Sequence, residues 1–369
     1  MHRPICTAVL TVTVLFAAGC SKGSDPSKAA PSVSPRATPT IDAGFKIGLL
    51  LPENKAARYE AFDKPIIEAR VQALCPKCSV LYQNAQQDGA KQETQADSLL
   101  SQGVAVLILD AVDAKAAASI VAKAKEQHVP VISYDRFASG PVDYFITFDS
   151  FKVGETQGRA LLERIAKDGD PKRGPVVMLN GSITDPNAAD YKKGAHSILD
   201  GKVEIGFEVD TPGWSPAKGQ EEMEQAVTKL GQGKIIGVYA ANDGLGGAAI
   251  VALKGHGVTP LPPVTGQDAE LAAIQRIVSG DQYMTVYKPV PDEAEATAKI
   301  AVAVATGQKY EGTTVELVNG SGHKVPSVLL TVVAVTRETL AEVIVKGKVY
   351  TVSEICTEAN AAACKQIGL

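Results

Sequence analysis

Aromatic side chains and clusters of like charge are scarce in this sequence of 369 residues. Aromatic residues make up 5% of the chain and include one tryptophan, Trp214, so candidates for an aromatic binding platform are few. The net charge is −4 and no basic cluster occurs, which argues against a nucleic-acid partner. The apolar run at residues 8–18 is too short to cross a bilayer as a helix.

Catalytic and metal-binding motifs are also missing. The sequence has no nucleophile elbow. Its histidines have no metal-ligand spacing; they are His2, His128, His196, His256 and His323. We therefore expect no bound metal ion. Asp135, Asp185 and Asp268 leave glycoside hydrolysis by paired carboxylates open, although nothing in their spacing signals it specifically.

The amino terminus has the order of a secretory signal. Arg3 precedes the apolar run, and Cys20 follows it. Cleavage before a cysteine resembles bacterial lipoprotein processing, so we expect residues 1–19 to be a signal peptide and Cys20 to carry lipid. The alternative is an ordinary secretory peptide in which Cys20 is incidental. Residues 20–43 are rich in Ser, Pro, Ala and Thr, which predicts a disordered tether.

The later cysteines fit an exported protein. Cys75 and Cys78 form a Cys-x-x-Cys pair, and Cys356 and Cys364 lie near the carboxyl terminus. In an oxidising compartment we expect two local disulfides, one within each pair. A zinc site of four cysteines is the alternative that the spacing leaves open.

A glycine-rich segment at residues 244–249 has the spacing of a dinucleotide-binding loop, with Asp268 about twenty residues further on. Asn242 and Asp243, however, stand between the preceding strand and the first glycine. An exported protein also has no ready supply of nicotinamide cofactor. We therefore expect no cofactor, and we expect Asp243 to cap the helix whose small residues pack closely on the sheet.

From Lys46 onward the chain alternates short β-rich runs with amphipathic helical stretches, and the series restarts near residue 150. This pattern predicts an α/β protein with two doubly wound lobes. We assign residues 44–149 plus 287–326 to the first lobe and residues 150–286 plus 327–369 to the second. The late segments then cross back between the lobes, so each lobe is discontinuous.

Three apolar strand-like runs end in pairs of polar residues. The pairs are Asp135-Arg136, Asn242-Asp243 and Gln267-Asp268. In open α/β sheets ligands bind beyond the carboxyl ends of the strands. Because the pairs come from both halves of the sequence, we expect a ligand held between two lobes.

A family resemblance is carried by seven short segments in order along the chain. They are Tyr134-Asp-Arg, Phe145-Ile-Thr-Phe-Asp, Asn180-Gly-Ser-Ile-Thr-Asp-Pro-Asn-Ala, Gly213-Trp-Ser-Pro, Ala241-Asn-Asp, Thr265-Gly-Gln-Asp-Ala-Glu-Leu and Met284-Thr-Val-Tyr-Lys-Pro. Over residues 46–336 the chain resembles the sugar receptors among the periplasmic binding proteins of ABC importers, most closely those for D-xylose. The resemblance implies the type I fold, in which two Rossmann-like lobes joined by three hinge crossings close on a sugar.

The resemblance also implies a set of ligand-binding residues, carried over position by position. They are Arg58, Tyr59, Asp135, Arg136, Asp185, Asn187, Trp214, Asn242, Asp268 and Lys288. A carboxylate that accepts while Arg or Lys donates satisfies a sugar hydroxyl fully, and Trp214 would stack on the apolar face of the ring. Tyr59 stands where close relatives carry Trp, which gives a smaller aromatic platform.

The function that the resemblance implies is that of a substrate-binding lipoprotein, not an enzyme, held on the outer face of the cell membrane by its lipid. It would bind a monosaccharide, D-xylose first, as a monomer and deliver it to an ABC permease with its ATPase. A receptor for glucose or a broader set of aldoses is the alternative within the class. A chemosensory receptor, an exported dehydrogenase and a glycosidase are the alternatives outside it. A transcription factor of the same superfamily would need a DNA-binding helix-turn-helix where this chain carries the signal and tether.

Overall fold

The computed structural model describes residues 38–369. Its strands are β1 Lys46–Leu51, β2 Ser79–Asn84, β3 Val106–Leu109, β4 Val131–Tyr134, β5 Tyr144–Phe148, β6 Pro175–Asn180, β7 Glu204–Asp210, β8 Gly237–Ala240, β9 Met284–Tyr287, β10 Val315–Val318, β11 Lys324–Leu330 and β12 Val333–Thr336. Its α-helices are α1 Lys64–Leu74, α2 Gly89–Ser101, α3 Ala118–Glu126, α4 Ser150–Asp168, α5 Pro186–Leu199, α6 Pro216–Leu230, α7 Asp243–Gly255, α8 Leu271–Ser279, α9 Val290–Ala305, α10 Val352–Ile355 and α11 Ala361–Gln366. Short helical turns of other types lie at Tyr59–Asp63, Pro212–Trp214, Ala341–Lys346 and Glu358–Asn360.

The first lobe is built on one sheet with the strand order β10-β11-β5-β4-β3-β1-β2. All neighbours in this sheet are parallel except the antiparallel pair β10 and β11. Strands β3 and β4 are buried along their whole length. Such continuous apolar strands are typical of a parallel sheet covered by helices on both faces.

The second lobe is built on the parallel strands β7-β6-β8. A single bridge from Val238 to Val264 continues this sheet, so the expected strand at Pro263 is only a short extended segment. The N–H of Tyr283 donates to the carbonyl of Val264 at 3.0 Å, which places the antiparallel pair β9 and β12 alongside that segment.

Three chain segments connect the lobes, as expected. They lie between β5 and α4, between β9 and α9, and between β11 and β12. The predicted two-lobed α/β fold with three crossings is therefore confirmed. The predicted boundary at residue 327, however, falls inside β11, whose residues Ser327 to Leu330 pair with β5 of the first lobe. Since that pairing ends at Leu330, the third crossing lies after it.

Both disulfides are formed as predicted, between Cys75 and Cys78 and between Cys356 and Cys364. The end of the predicted tether is ordered against the first lobe, since the ammonium group of Lys77 donates to the carbonyl of Asp42 at 2.8 Å. The predicted signal peptide and the predicted lipidation site Cys20 lie outside the described residues. Within residues 38–369, no helix has the length and apolar character needed to cross a bilayer.

Candidate functional site

All ten residues that we expected to bind ligand line one cavity between the lobes. The cavity is small, about 30 Å³, and lies at the carboxyl ends of the strands. Its wall holds three cations and four carboxylates. They are Arg58, Arg136, Lys288, Glu53, Asp135, Asp185 and Asp268. The ten residues expected from the sequence therefore lie together in the structure. Their roles toward a ligand remain a proposal.

Arg58 is held by three carboxylates of its own lobe. Its guanidinium group donates to Asp63 Oδ1 at 2.7 Å and Oδ2 at 3.1 Å, to Glu293 Oε2 at 2.7 Å and to Asp135 Oδ2 at 2.9 Å. Among residues 38–369, these bonds engage four of its five N–H groups and leave one Nη1–H for another acceptor. The hydroxyl of Tyr134 also donates to Asp63, which holds the carboxylate of Asp63 in position beside Arg58.

Asp135 follows β4 in a left-handed backbone conformation, with φ at 55°. This conformation is uncommon outside glycine, although Asp and Asn adopt it most readily. Its carbonyl accepts from Thr147 at 2.7 Å and from the amide of Asn187 at 3.0 Å. Burial alone would raise the pKa of Asp135, but the charges of Arg58, Lys288 and Arg136 outweigh it and hold the pKa below its usual value.

Arg136 is held partly by the other lobe. Its Nε lies 2.9 Å from Asp185 Oδ2 of the second lobe and 3.5 Å from Asp110 Oδ1 of the first. Its two Nη atoms donate to the carbonyl of Ala111 at 3.1 Å and to the hydroxyl of Tyr59 at 3.4 Å. Tyr59 therefore contributes a polar contact to Arg136 that a Trp in its place could not make.

Asp185 and Pro186 begin helix α5 and aim its first turn at the cavity. Asp185 is the N-cap, because its Oδ1 accepts from the backbone N–H of Asn187 at 2.9 Å. Pro186 takes the first helical position, which suits its fixed φ. Asp185 Oδ2 accepts from Trp214 Nε1 at 3.0 Å as well as from Arg136. One carboxylate thus positions both the aromatic ring and a cation.

The Trp214 ring is seated by a close approach to Gly181. A Cβ atom at position 181 would lie 2.1 Å from two atoms of the ring, so only glycine fits there. Tyr191 packs near the ring at 6.3 Å between centroids. Trp214 has a positive φ of 53°, and the preceding Gly213 has a positive φ of 59°. The two residues form one tight turn.

The end of β8 corrects one expectation. Asn242, not Asp243, caps helix α7, since Asn242 Oδ1 accepts from the N–H of Leu245 at 2.9 Å. Asp243 is fully buried and accepts instead from Gln282 at 2.7 Å and from Thr285 at 2.9 Å. A buried carboxylate needs such donors, and they come from β9 and the segment just before it, some forty residues along the chain.

Asp268 and Lys288 form a buried ion pair on the second wall of the cavity, with 2.9 Å between Oδ1 and Nζ. The ammonium group also lies 5.4 Å from the centre of the Phe148 ring. Burial alone would lower the pKa of Lys288, but Asp268 and other nearby acidic groups raise it above its usual value. Lys288 is therefore charged.

The two lobes touch directly around the cavity. Besides the pair Arg136–Asp185, Lys55 Nζ donates to the carbonyl of Gly213 at 3.2 Å. The backbone N–H of Ala57 donates to Glu270 Oε1 at 3.3 Å. The cavity is consequently enclosed by residues of both lobes.

Sequence reasoning missed four residues that line the cavity. They are Glu53, Ala56, Tyr191 and Gln267. Glu53 accepts from the backbone N–H groups of Lys55 and Ala56, and burial raises its pKa. Its position directly after β1 is the same signal that identified the other strand ends. Gln267 stood in one of the polar pairs but had no role assigned.

The other motifs have structural explanations. In the glycine-rich segment, a Cβ at Gly246 would lie 2.9 Å from the carbonyl of Thr265, so the helix packs closely on the sheet as expected. The four cysteines within residues 38–369 all form disulfides, so the alternative zinc site of four cysteines is excluded. In the part of the chain that the structure describes, no group of three or more His, Cys, Asp or Glu residues is arranged to hold a metal ion.

Known proteins resemble this chain over most of its length. The model of the periplasmic binding protein domain matches residues 47–309. The D-xylose-binding periplasmic protein of Escherichia coli is 32% identical over 316 residues, which cover 84% of this chain and 92% of that protein. The multiple sugar-binding periplasmic receptor ChvE of Rhizobium radiobacter is 30% identical over 330 residues, or 84% of this chain and 92% of the receptor.

A solved structure has the same architecture. The carbohydrate transporter solute binding protein of Chloroflexus aurantiacus, in complex with D-glucose, superposes with a TM-score of 0.76 at 27% identity. The match covers 84% of this chain and 98% of that protein. The family model spans most of the two lobes, and relatives of at least 30% identity cover more than two thirds of the chain. The chain therefore belongs to the periplasmic binding protein family.

Proposed function

We propose that the protein is an exported sugar receptor of an ABC importer and that it binds a monosaccharide, D-xylose first, in the cavity between its lobes. The observation that carries the proposal is the cavity wall, where three cations alternate with carboxylates beside one tryptophan. A sugar hydroxyl both donates and accepts, so paired acids and bases are suitable partners. A wall whose cations are already paired favours a neutral polyol over a charged ligand.

Transport follows from the way the lobes enclose the cavity. A ligand that contacts both walls would stabilise the closed form of the protein. The size of this stabilisation equals the difference between the ligand's binding free energies for the closed and the open form. The closed form would then be presented to the permease. The proposed receptor breaks no bond of the sugar. The three carboxylates considered for glycoside hydrolysis each have a cation as partner: Asp135 has Arg58, Asp185 has Arg136 and Asp268 has Lys288.

Calorimetric titration with D-xylose, D-ribose, L-arabinose, D-glucose and D-galactose tests the proposal. We expect D-xylose to bind tightly and to saturate the protein in this titration. We also expect the sugar to be recovered unaltered after prolonged incubation. The absence of binding to any of the five sugars would refute a monosaccharide receptor. Turnover of the sugar would restore the enzyme alternatives.

A receptor for glucose or several aldoses is the second candidate. It is supported by the names of two relatives, one a multiple sugar-binding receptor and the other solved with D-glucose. Tyr59 bears on the choice because the family resemblance implies Trp at this position, and the smaller Tyr ring would leave more room for a ligand. Affinity for D-glucose equal to or above that for D-xylose would favour this candidate.

We also propose that Cys20 anchors the mature protein to the outer face of the membrane. The support is the sequence order of a charged start, an apolar run and a cysteine. Substituting Cys20→Ser should release the protein from the membrane fraction, while continued membrane retention of the variant would contradict a lipid anchor at this residue.

A further inference from the structure

Gln267 stands out among the residues of the cavity wall because its side-chain oxygen lacks a donor. Several buried polar atoms of residues 38–369 make no hydrogen bond, and two of them belong to cavity-lining residues: Gln267 Oε1 and Asp268 Oδ1. Asp268 Oδ1 has the ammonium group of Lys288 at 2.9 Å. Gln267 Oε1 has neither a hydrogen bond nor an ion pair within this part of the chain, although the residue is only 3% exposed.

The backbone around Gln267 is fixed on both sides. The carbonyl of Gln267 accepts from the N–H of Asp243 at 3.0 Å, and the N–H of Asp268 donates to the carbonyl of Val286 at 2.9 Å. A Cβ at Gly266 would lie 2.0 Å from Asp243 Oδ1, so the segment approaches α7 closely. Asp268 then takes a positive φ of 94°. This turn allows two consecutive side chains, at 267 and 268, to line the same cavity.

Buried amide oxygens in proteins nearly always have a donor, because leaving one unsatisfied costs free energy. No donor among residues 38–369 hydrogen-bonds Gln267 Oε1. Arg58 has one N–H left after its bonds to Asp63, Asp135 and Glu293. A ligand in the cavity is therefore the natural source of the missing partner.

We infer that Gln267 is a ligand-binding and specificity-determining residue, whose side-chain amide hydrogen-bonds one hydroxyl group of the bound sugar. The inference rests on the proposed function. Because a hydroxyl both donates and accepts, either atom of the amide finds a partner in it. A sugar that lacks this hydroxyl leaves the amide unsatisfied and is discriminated against.

The test is Gln267→Met, which keeps the length of the side chain and removes its polar atoms. We expect the variant to bind D-xylose roughly tenfold more weakly than the wild type. We expect its affinity to match that of the wild type within about twofold for one monodeoxy derivative, the one lacking the hydroxyl that the amide contacts. Calorimetry with D-xylose and each monodeoxy derivative gives these values. If D-glucose binds more tightly than D-xylose, its derivatives replace them.

The thermal midpoint of the ligand-free protein separates a ligand contact from a structural role. Removing an unsatisfied buried polar atom should leave the midpoint of Gln267→Met unchanged or raise it. Gln157 is a matched control, since it is also buried with an unpartnered Oε1, but its Nε2 donates to the carbonyl of Ala240 at 2.9 Å and it does not line the cavity. Gln157→Met should lower the midpoint and weaken all the sugars by a similar factor or by none.

Wild-type affinity of Gln267→Met for every sugar would overturn the inference while leaving the proposed function intact. An equal loss for all derivatives with a lowered midpoint would also overturn it, because that pattern indicates a structural residue. A wild-type protein that binds none of the sugars would overturn both.

Discussion

Arg58 and Arg136 lie on the same wall of the cavity, yet they are held in different ways. The three carboxylates around Arg58 belong to its own lobe: Asp63, Asp135 and Glu293. The closest partner of Arg136 is Asp185 of the other lobe. Arg58 is thus positioned whether or not the lobes meet, while the full set of contacts to Arg136 requires them together. Part of the site is therefore held within one lobe, and part depends on contact between the two lobes.

The largest expected effect is that of Arg58→Met on folding. The substitution leaves Asp63, Asp135 and Glu293 buried without their common cation. Breaking a buried ion pair in this way costs about 3–5 kcal/mol. We expect the free energy of unfolding of the ligand-free protein, measured in urea, to fall by that amount and sugar binding to be lost. A ligand-free stability equal to the wild type would show that the three carboxylates do not depend on Arg58.

Asp185→Asn should act on binding and should affect folding less than Arg58→Met does. Asn is as good an N-cap as Asp, so helix α5 keeps its first turn. The charged contact between Arg136 and position 185 is lost, which should weaken sugar binding roughly ten- to hundredfold.

The free energy of unfolding of Asp185→Asn should fall by about 1–3 kcal/mol, because the amide has one oxygen for the helix cap and its NH2 group then faces the N–H donors of Trp214 and Arg136. Calorimetry and urea unfolding of the same preparation check both values. A large loss of stability with unchanged affinity would reverse the comparison between the two arginines.

Glu270 adds a pH dependence to the contact between the lobes. Burial, with the nearby charges of Asp243 and Asp268, raises the pKa of Glu270 to about 8, and burial raises that of Asp243 to about 7. The folded protein therefore holds protons that the unfolded chain releases from about pH 4.5 upward, so stability falls as the pH rises through this window and levels off above about pH 8.

Glu270→Gln should remove the share of this slope that Glu270 contributes, which is at most about 1.4 kcal/mol per pH unit. Its amide oxygen can still accept from Ala57. Urea unfolding at intervals between pH 5 and 8 compares the two proteins; identical slopes would mean that Glu270 does not titrate in this window.

The smallest effect is expected for Glu293→Gln. Burial raises the pKa of Glu293 well above its usual value, and its Oε1 makes no hydrogen bond within residues 38–369. The raised pKa favours the neutral carboxyl group, and an amide can replace it while still accepting from Arg58. We expect less than about 1 kcal/mol of destabilisation in urea. A loss as large as that of Arg58→Met would indicate an ionised Glu293.

The sequence could predict the fold and the polar strand ends because both follow from local patterns, while the other candidate site residues, such as Arg58 and Trp214, were implied by the family resemblance. Alternating β-rich and amphipathic runs identify a parallel sheet, and polar residues after a strand lie at its ligand-binding edge. Asp135, Asn242 and Asp268 were found by this argument. The sequence did not distinguish two adjacent residues at the end of β8. We expected Asp243 to cap helix α7, whereas Asn242 caps it.

Partnerships between distant residues were not predictable. Arg58 meets Glu293 after 235 residues of separation, and Asp243 meets Thr285 after 42. No local periodicity encodes such a contact, since it depends on how the crossing segments return to the first lobe. Tertiary contacts also decide which buried groups stay charged, because the pKa of a carboxyl group depends on its burial and its neighbours.

The sequence by itself thus determined the α/β architecture and the three polar strand ends, because backbone periodicity and residue chemistry are local properties, whereas the ten residues that share the cavity wall were implied by the family resemblance. Only the tertiary structure decided which acid neutralises which base, which lobe supplies each partner, and that the amide oxygen of Gln267 has no partner among the described residues. These outcomes depend on distances of a few ångströms between segments far apart in the chain, and such distances are set only when the whole protein has packed.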